Sequence, residues 1–136
     1  AQIGLRGPLY DKKDYTMSND AGLLSITGPE LHSIGVLEAL SLVKNRIGDK
    51  PAYLTFDIDF IDPAYAPGTG TPEAGGFTGY DAISFVRGLK NINFIGFDMV
   101  EVMPPYDPAH ITSLLAANII YEFISLVAIQ KRNKVN

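Results

Sequence analysis

Tyr53-Leu-Thr-Phe-Asp57-Ile-Asp59-Phe-Ile-Asp62-Pro63 is the stretch on which the reading of this chain turns. It opens as an apolar, aromatic run of the kind that makes a buried strand. It closes on aspartates, a residue type depleted from strands. In an extended strand, residues i and i+2 point to one side, so Asp57 and Asp59 are expected to face one direction and Ile58 the other. Two like charges that close repel each other, and withdrawing them from water is costly unless a cation compensates. Hard oxygen donors paired in this way suit Mg or Mn better than Cu or Fe–S. The expectation is a metal site at the carboxyl end of a strand.

Working outward, residues 60 to 77 collect Pro63, Pro67, Gly68, Gly70, Pro72, Gly75 and Gly76. No regular element survives that density of breakers, so a long ordered loop is expected, of the kind usually retained for function. Upstream, Thr27-Gly-Pro29-Glu30 has the spacing of a helix-opening capping box, with proline tolerated in the first turn. Behind it Leu31, Ile34, Leu37, Leu40, Val43 and Ile47 recur at helical spacing, and Gly48 stops the run. Ile3–Leu5 and 22–26 read as short strands, and polar Tyr10–Asp20 as loop. Downstream, Thr78 with Asp81 opens a helix on which Ile83, Val86 and Leu89 share a face. Ile92–Met99 is a further apolar strand that runs into Glu101. Asp107-Pro108 caps a last helix, whose closing Lys131, Arg132 and Lys134 complement its dipole.

Strands and helices in alternation predict an α/β fold with a parallel sheet covered on both faces. Ligands in such sheets bind beyond the carboxyl ends of the strands, where Asp57, Asp59 and Glu101 all fall. The apolar neighbours Val100, Val102 and Met103 predict that Glu101 is buried. Asp62 reads as structural, because an aspartate before proline closes a turn onto its own backbone. Asp98 receives no chemistry, and His32 and His110 read as surface histidines.

Other readings of these motifs are weaker. Asp-x-Asp also follows a buried strand in haloacid-dehalogenase-like phosphatases, but here Ile61 stands at the fifth position and no later acidic pair of that type follows. The glycine-rich 68–76 segment lacks the Gly-Lys-Ser/Thr ending of a phosphate loop.

The ordered set of motifs resembles the carboxyl-terminal part of the ureohydrolases, the arginase and agmatinase family. Those motifs are Phe56-Asp57-Ile-Asp59 with Asp62-Pro63, Pro67-Gly-Thr-Gly-Thr-Pro72, Gly75-Gly76 and Val100-Glu101-Val102 with Pro104-Pro105-Tyr106-Asp107. The likeness runs from Gln2-Ile-Gly-Leu-Arg6 to the last helix, and its wording is nearer to agmatinases and guanidino-acid hydrolases than to arginases. It implies a three-layer α/β/α arginase-like fold and hydrolysis of a guanidino compound to urea and an amine, with agmatine the first choice. It also implies two Mn ions per active site. Asp57 matches the carboxylate that bridges both metals, Asp59 a carboxylate on the second, and Glu101 the residue that holds the substrate guanidinium. The family's histidine ligands have no counterpart here. Residues 1–136 are therefore expected to be the carboxyl-terminal portion of a single ureohydrolase domain, inactive without the upstream half. A catalytically silent structural subunit is the alternative from another class.

Composition bounds these expectations. The 136 residues are 46% hydrophobic and 19% charged, which describes a globular chain with a core of its own. A net charge of −4 argues against nucleic acid as a partner. The absence of cysteine excludes disulfides and thiolate metal sites. No basic n-region opens the chain, and a cytoplasmic location is expected. The last helix is apolar nearly all round from Ile111 to Ile129. Asn118 and Glu122 interrupt it, so packing between the sheet and a neighbouring subunit is expected rather than a membrane. The family resemblance implies a homotrimer or homohexamer.

Overall fold

The computed structural model describes residues 1–135, with the side chains of Tyr15 and of 133–135 excepted. The order is β1 (Gln2–Leu5), α1 (Lys12–Asp20), β2 (Ser25–Thr27), α2 (Gly28–Ile47), β3 (Ala52–Asp57), α3 (Gly79–Gly88), β4 (Phe94–Val100) and α4 (Ile111–Val135). Single 3-10 turns occupy Ile58–Phe60 and Pro104–Tyr106. β1 pairs with β2 and β3 with β4, both parallel, which requires the helical crossovers that the alternation predicted. Among the described residues the strands form two separate two-stranded sheets.

Local sequence explains most helix starts. Thr27 and Glu30 bond reciprocally to each other's backbone at the start of α2, and Thr78 and Asp81 do so at α3. The same device sets α1, a helix in a segment expected to be loop. The Asp11 side chain accepts from Lys13 N–H, and Asp14 reaches back to the Asp11 N–H. α1 is short and polar, so it lacks the apolar periodicity that marks helices. The final helix starts at Ile111, later than Asp107-Pro108 implied, but Asp107 still caps it. Its carboxylate accepts from the N–H groups of Thr112 and Ser113 at 3.1 and 2.8 Å. Lys131 and Arg132 are exposed at the other end, and the side chain of Lys134 lies outside the described ones.

The apolar stripe expected along α2 is broken in one place. Leu31, Leu40 and Val43 are buried, whereas Leu37 is 84% exposed. Gly35, at φ 78°, interrupts the helix and resets its phase. After the kink, Ala39, Leu40 and Val43 face the core and Leu37 turns outward.

Two adjoining clusters make the core. Ile26, Leu31, Leu40, Phe77 and Phe94 anchor the first. Phe56, Ile58, Ala82, Val86, Ile119 and Phe123 anchor the second, where α3 and α4 cover one face of β3–β4. The opposite face carries exposed Tyr53, whose hydroxyl donates to Asp98 at 3.0 Å, so Asp98 has no part in the carboxylate group described below. α4 buries Thr112, Ala116, Ile119 and Phe123 and exposes Ile111, Leu114, Tyr121, Ile124 and Ile129. By length and composition alone, Ile111–Arg132 is apolar enough to cross a membrane. Here its inner stripe is part of the core, and Glu122 pairs with Arg87 of α3 at 2.6 Å.

Candidate active site

β3 ends at Asp57, and the chain then enters the 3-10 turn. The Asp57 side chain forms that turn by accepting from the Asp59 N–H at 3.1 Å. Asp59 is therefore not the second residue of a flat strand, as alternation predicted. It is presented from a turn, while Ile58 is fully buried in the core beneath. The two carboxylates still meet. Burial raises the Asp57 carboxyl above its ordinary value of 3.8, and the charges of Asp59 and Glu101 push it the same way. The Asp59 N–H opposes them. β3 and β4 thus deliver three carboxylates to one rim.

Glu101 departs from expectation. It is exposed, not buried, and it takes a left-handed backbone at φ 62°. Non-glycine residues seldom adopt that conformation, which collects at functional positions. Its apolar neighbours mislead about burial here, because Glu101 follows the last residue of β4 and the chain turns there.

The long loop expected over 60–77 is present and tied at many points. Asp62 accepts from Ala64 N–H at 2.9 Å and from Gly75 and Gly76 N–H at 2.9 and 3.0 Å, which closes the loop on itself. These bonds, that from Ala64 first, hold its carboxyl below the ordinary value, with help from Arg6. The structural reading of Asp62 is correct. Further along, Gly68 N–H donates to Thr112 Oγ1 at 2.8 Å and the Gly68 carbonyl accepts from Met103 N–H at 2.8 Å. A Cβ at Gly68 would lie 2.6 Å from Asp107 Cβ, so only glycine lets the loop approach this closely. Burial raises the Asp107 carboxyl, but hydrogen bonds from Ser113 and Thr112 outweigh it and leave it lowered. His32 stacks on Phe77 and bonds the Gly75 carbonyl at 3.0 Å, bracing the loop far from any ligand role. His110 is exposed.

Two residues that sequence reasoning passed over serve this rim. The Arg6 guanidinium donates to the Glu73 carbonyl at 2.8 Å and to the Asp59 carbonyl. The Thr71 hydroxyl donates to Asp59 Oδ2 at 2.9 Å. An arginine closing an apolar strand was a visible signal for the first. Nothing local marks Thr71. A cavity of about 480 Å³ between β1 and β3 is lined by Gly4, Arg6, Phe56, Asp57, Asp59 and Glu73, among others. Another of about 360 Å³, lined by Asp49, Lys90 and Gln130 among others, includes none of these carboxylates.

The clustered carboxylates, with Asp57 disfavoured in its charged form, fit a hard cation by donor chemistry. They fall short in number. Among the described residues, no three His, Cys, Asp or Glu side chains form a group able to hold a metal ion.

Comparison with known proteins agrees with this geometry. The arginase-family profile matches residues 1–125. An agmatinase of Salmonella paratyphi B is 46% identical over 130 residues, covering 96% of this chain and 40% of the relative. A guanidinobutyrase of Pseudomonas aeruginosa is 44% identical over 126 residues, covering 93% of this chain and 40% of the relative. The crystal structure of a hypothetical agmatinase from Burkholderia thailandensis superposes with a TM-score of 0.86 at 39% identity, over 97% of this chain and 40% of that one. The chain thus spans about 40% of the length of the curated relatives it matches. With the motifs and the parallel α/β architecture in agreement, this chain belongs to the arginase family of ureohydrolases.

Proposed function

We propose that the protein carrying this chain hydrolyses a guanidino compound, agmatine first, to urea and an amine. The observation that carries this reading is the placement of Asp57, Asp59 and Glu101 at the carboxyl ends of the paired strands β3 and β4, where Asp57 pairs with Val100 and the charges of Asp59 and Glu101 act on Asp57. Residues 1–136 act as the carboxyl-terminal portion of one ureohydrolase domain, in a cytoplasmic homo-oligomer, trimer or hexamer. The centre is binuclear manganese, to which Asp57 and Asp59 contribute oxygen donors and residues outside this chain contribute the rest.

A guanidinium carbon is a poor electrophile, because its charge is delocalised over three nitrogens. When bound, the metal pair supplies an activated water nucleophile at neutral pH. This chain's residues do the remaining work. Asp57 at the end of β3 and Asp59 in its turn would hold the centre at this rim. Glu101 pairs with the guanidinium through charge-assisted hydrogen bonds and orients the carbon to be attacked. The anchored 60–77 loop keeps the two carboxylate sources in register.

A guanidino-acid hydrolase is the nearest second reading, because a guanidinobutyrase is almost as similar to this chain as an agmatinase. A catalytically silent structural subunit is the reading from another class. Urea release by the Mn-loaded full-length protein decides among them. Agmatine is expected to be the best substrate, ahead of guanidinobutyrate, guanidinopropionate and arginine. Urea from none of them would end the enzyme reading.

A further inference from the structure

We propose that Thr71 is a positioning residue whose hydroxyl sets the orientation of the Asp59 carboxylate toward the cation. The inference rests on the reading above, in which Asp59 holds manganese.

Asp59 is fixed at three points. Its N–H donates to Asp57 Oδ1 at 3.1 Å, its carbonyl accepts from the Arg6 guanidinium, and its Oδ2 accepts from Thr71 Oγ1 at 2.9 Å. The first two place the backbone. Of the three, the third reaches the carboxylate itself and ties the side-chain rotamer to the loop. Thr71 is in turn placed from both sides. On one side Gly68 is bonded to Thr112 and Met103, and Thr69 bridges to Val102. On the other, the Glu73 carbonyl is held by Arg6. A Cβ at Gly70 would lie 3.8 Å from Glu101 Oε2, so the segment that orients Asp59 also borders Glu101. Partners that orient metal-ligating carboxylates are worth a large share of metal affinity.

Thr71→Val keeps the side-chain shape and removes the donor, whereas Thr71→Ser keeps the donor and removes a methyl. Thr71 is exposed, so neither change disturbs the core. Manganese is titrated into metal-free full-length protein by calorimetry, with melting of the metal-free forms measured alongside. Thr71→Val should weaken Mn binding by about 10–100-fold while Thr71→Ser stays within about threefold of the parent, with melting unchanged in both. Parent-like Mn affinity in Thr71→Val, or equal loss in both variants, would overturn the role. A loss in Thr71→Val that tracks a lowered melting temperature would overturn it too, by making Thr71 merely structural. A parent that binds no manganese would instead overturn the metal reading itself, and this arm separates the two failures.

Discussion

At the end of β3, Asp59 is held at its N–H, its carbonyl and its carboxylate, while at the end of β4 Glu101 is exposed and carried on a left-handed backbone. The two ends pair in register up to Asp57 and Val100, so one sheet delivers both. Beyond that point they diverge. The β3 end turns into a cap-and-loop assembly in which Asp62, Arg6 and Thr71 fix the chain. The β4 end turns abruptly at Glu101 and is steadied from outside, by Met103 N–H on the Gly68 carbonyl. On the proposed roles the difference makes sense: a metal ligand needs a fixed vector, which side-chain hydrogen bonds supply, whereas a group that receives a diffusing cation must face open space, as the exposed, left-handed Glu101 does.

The comparison is broken most forcefully at Asp57. In the full-length protein, Asp57→Asn should lower manganese content and abolish urea production together, because it would remove a charged oxygen donor from the proposed metal site. Metal analysis beside kinetics reads both, and full manganese occupancy in that variant would remove Asp57 from the site.

The β4 end should respond in the opposite sense to a change of backbone. A left-handed residue costs about 1–2 kcal/mol and glycine loses about 0.5–1 kcal/mol in chain entropy, so Glu101→Gly should leave stability unchanged or raise it by up to about 1.5 kcal/mol. Activity should fall in the same protein. Denaturant unfolding measures the first, and a clear loss of stability would mean that the Glu101 side chain supports the fold.

The smallest effect expected is the acid dependence that Asp62 contributes on the β3 side. Asp62 is held below its ordinary 3.8 by the N–H groups of Ala64, Gly76 and Gly75 and by Arg6. A carboxyl whose folded value is depressed stabilises the fold above its unfolded value, and that contribution is lost as pH falls through the folded value. The parent should therefore lose more stability between pH 5 and pH 2 (about the acid-unfolding window of a lowered carboxylate) than Asp62→Asn does. Parallel melting curves across that range would show that Asp62 does not tie the loop.

What could be read in advance follows the range of the interactions. Capping boxes at Thr27/Glu30 and Thr78/Asp81 lie within three residues and announced their helices. The box at Asp11/Asp14 was equally local, but without an apolar face behind it the segment passed for loop. Asp57 and Asp59 stood out as carboxylates in an apolar run, whereas the turn that separates them is set by one side-chain bond that no periodicity records. Leu37 was misplaced because a single backbone angle at Gly35 changes the helix phase. Arg6, Thr71 and the Asp107–Thr112–Gly68 anchor depend on partners that folding brings together from distant loops, and residue order alone does not show them.

The division of labour between the two strand ends is tested most directly by Glu101→Gln in the full-length protein, with manganese content and urea kinetics measured on one sample. Truncating one side of a charge pair with the substrate costs about 2–5 kcal/mol, so kcat/KM should fall by tens to thousands of fold while manganese stays near the parent's level. Unchanged urea production would remove Glu101 from the site, and loss of manganese would make it a ligand and erase the distinction between the two ends.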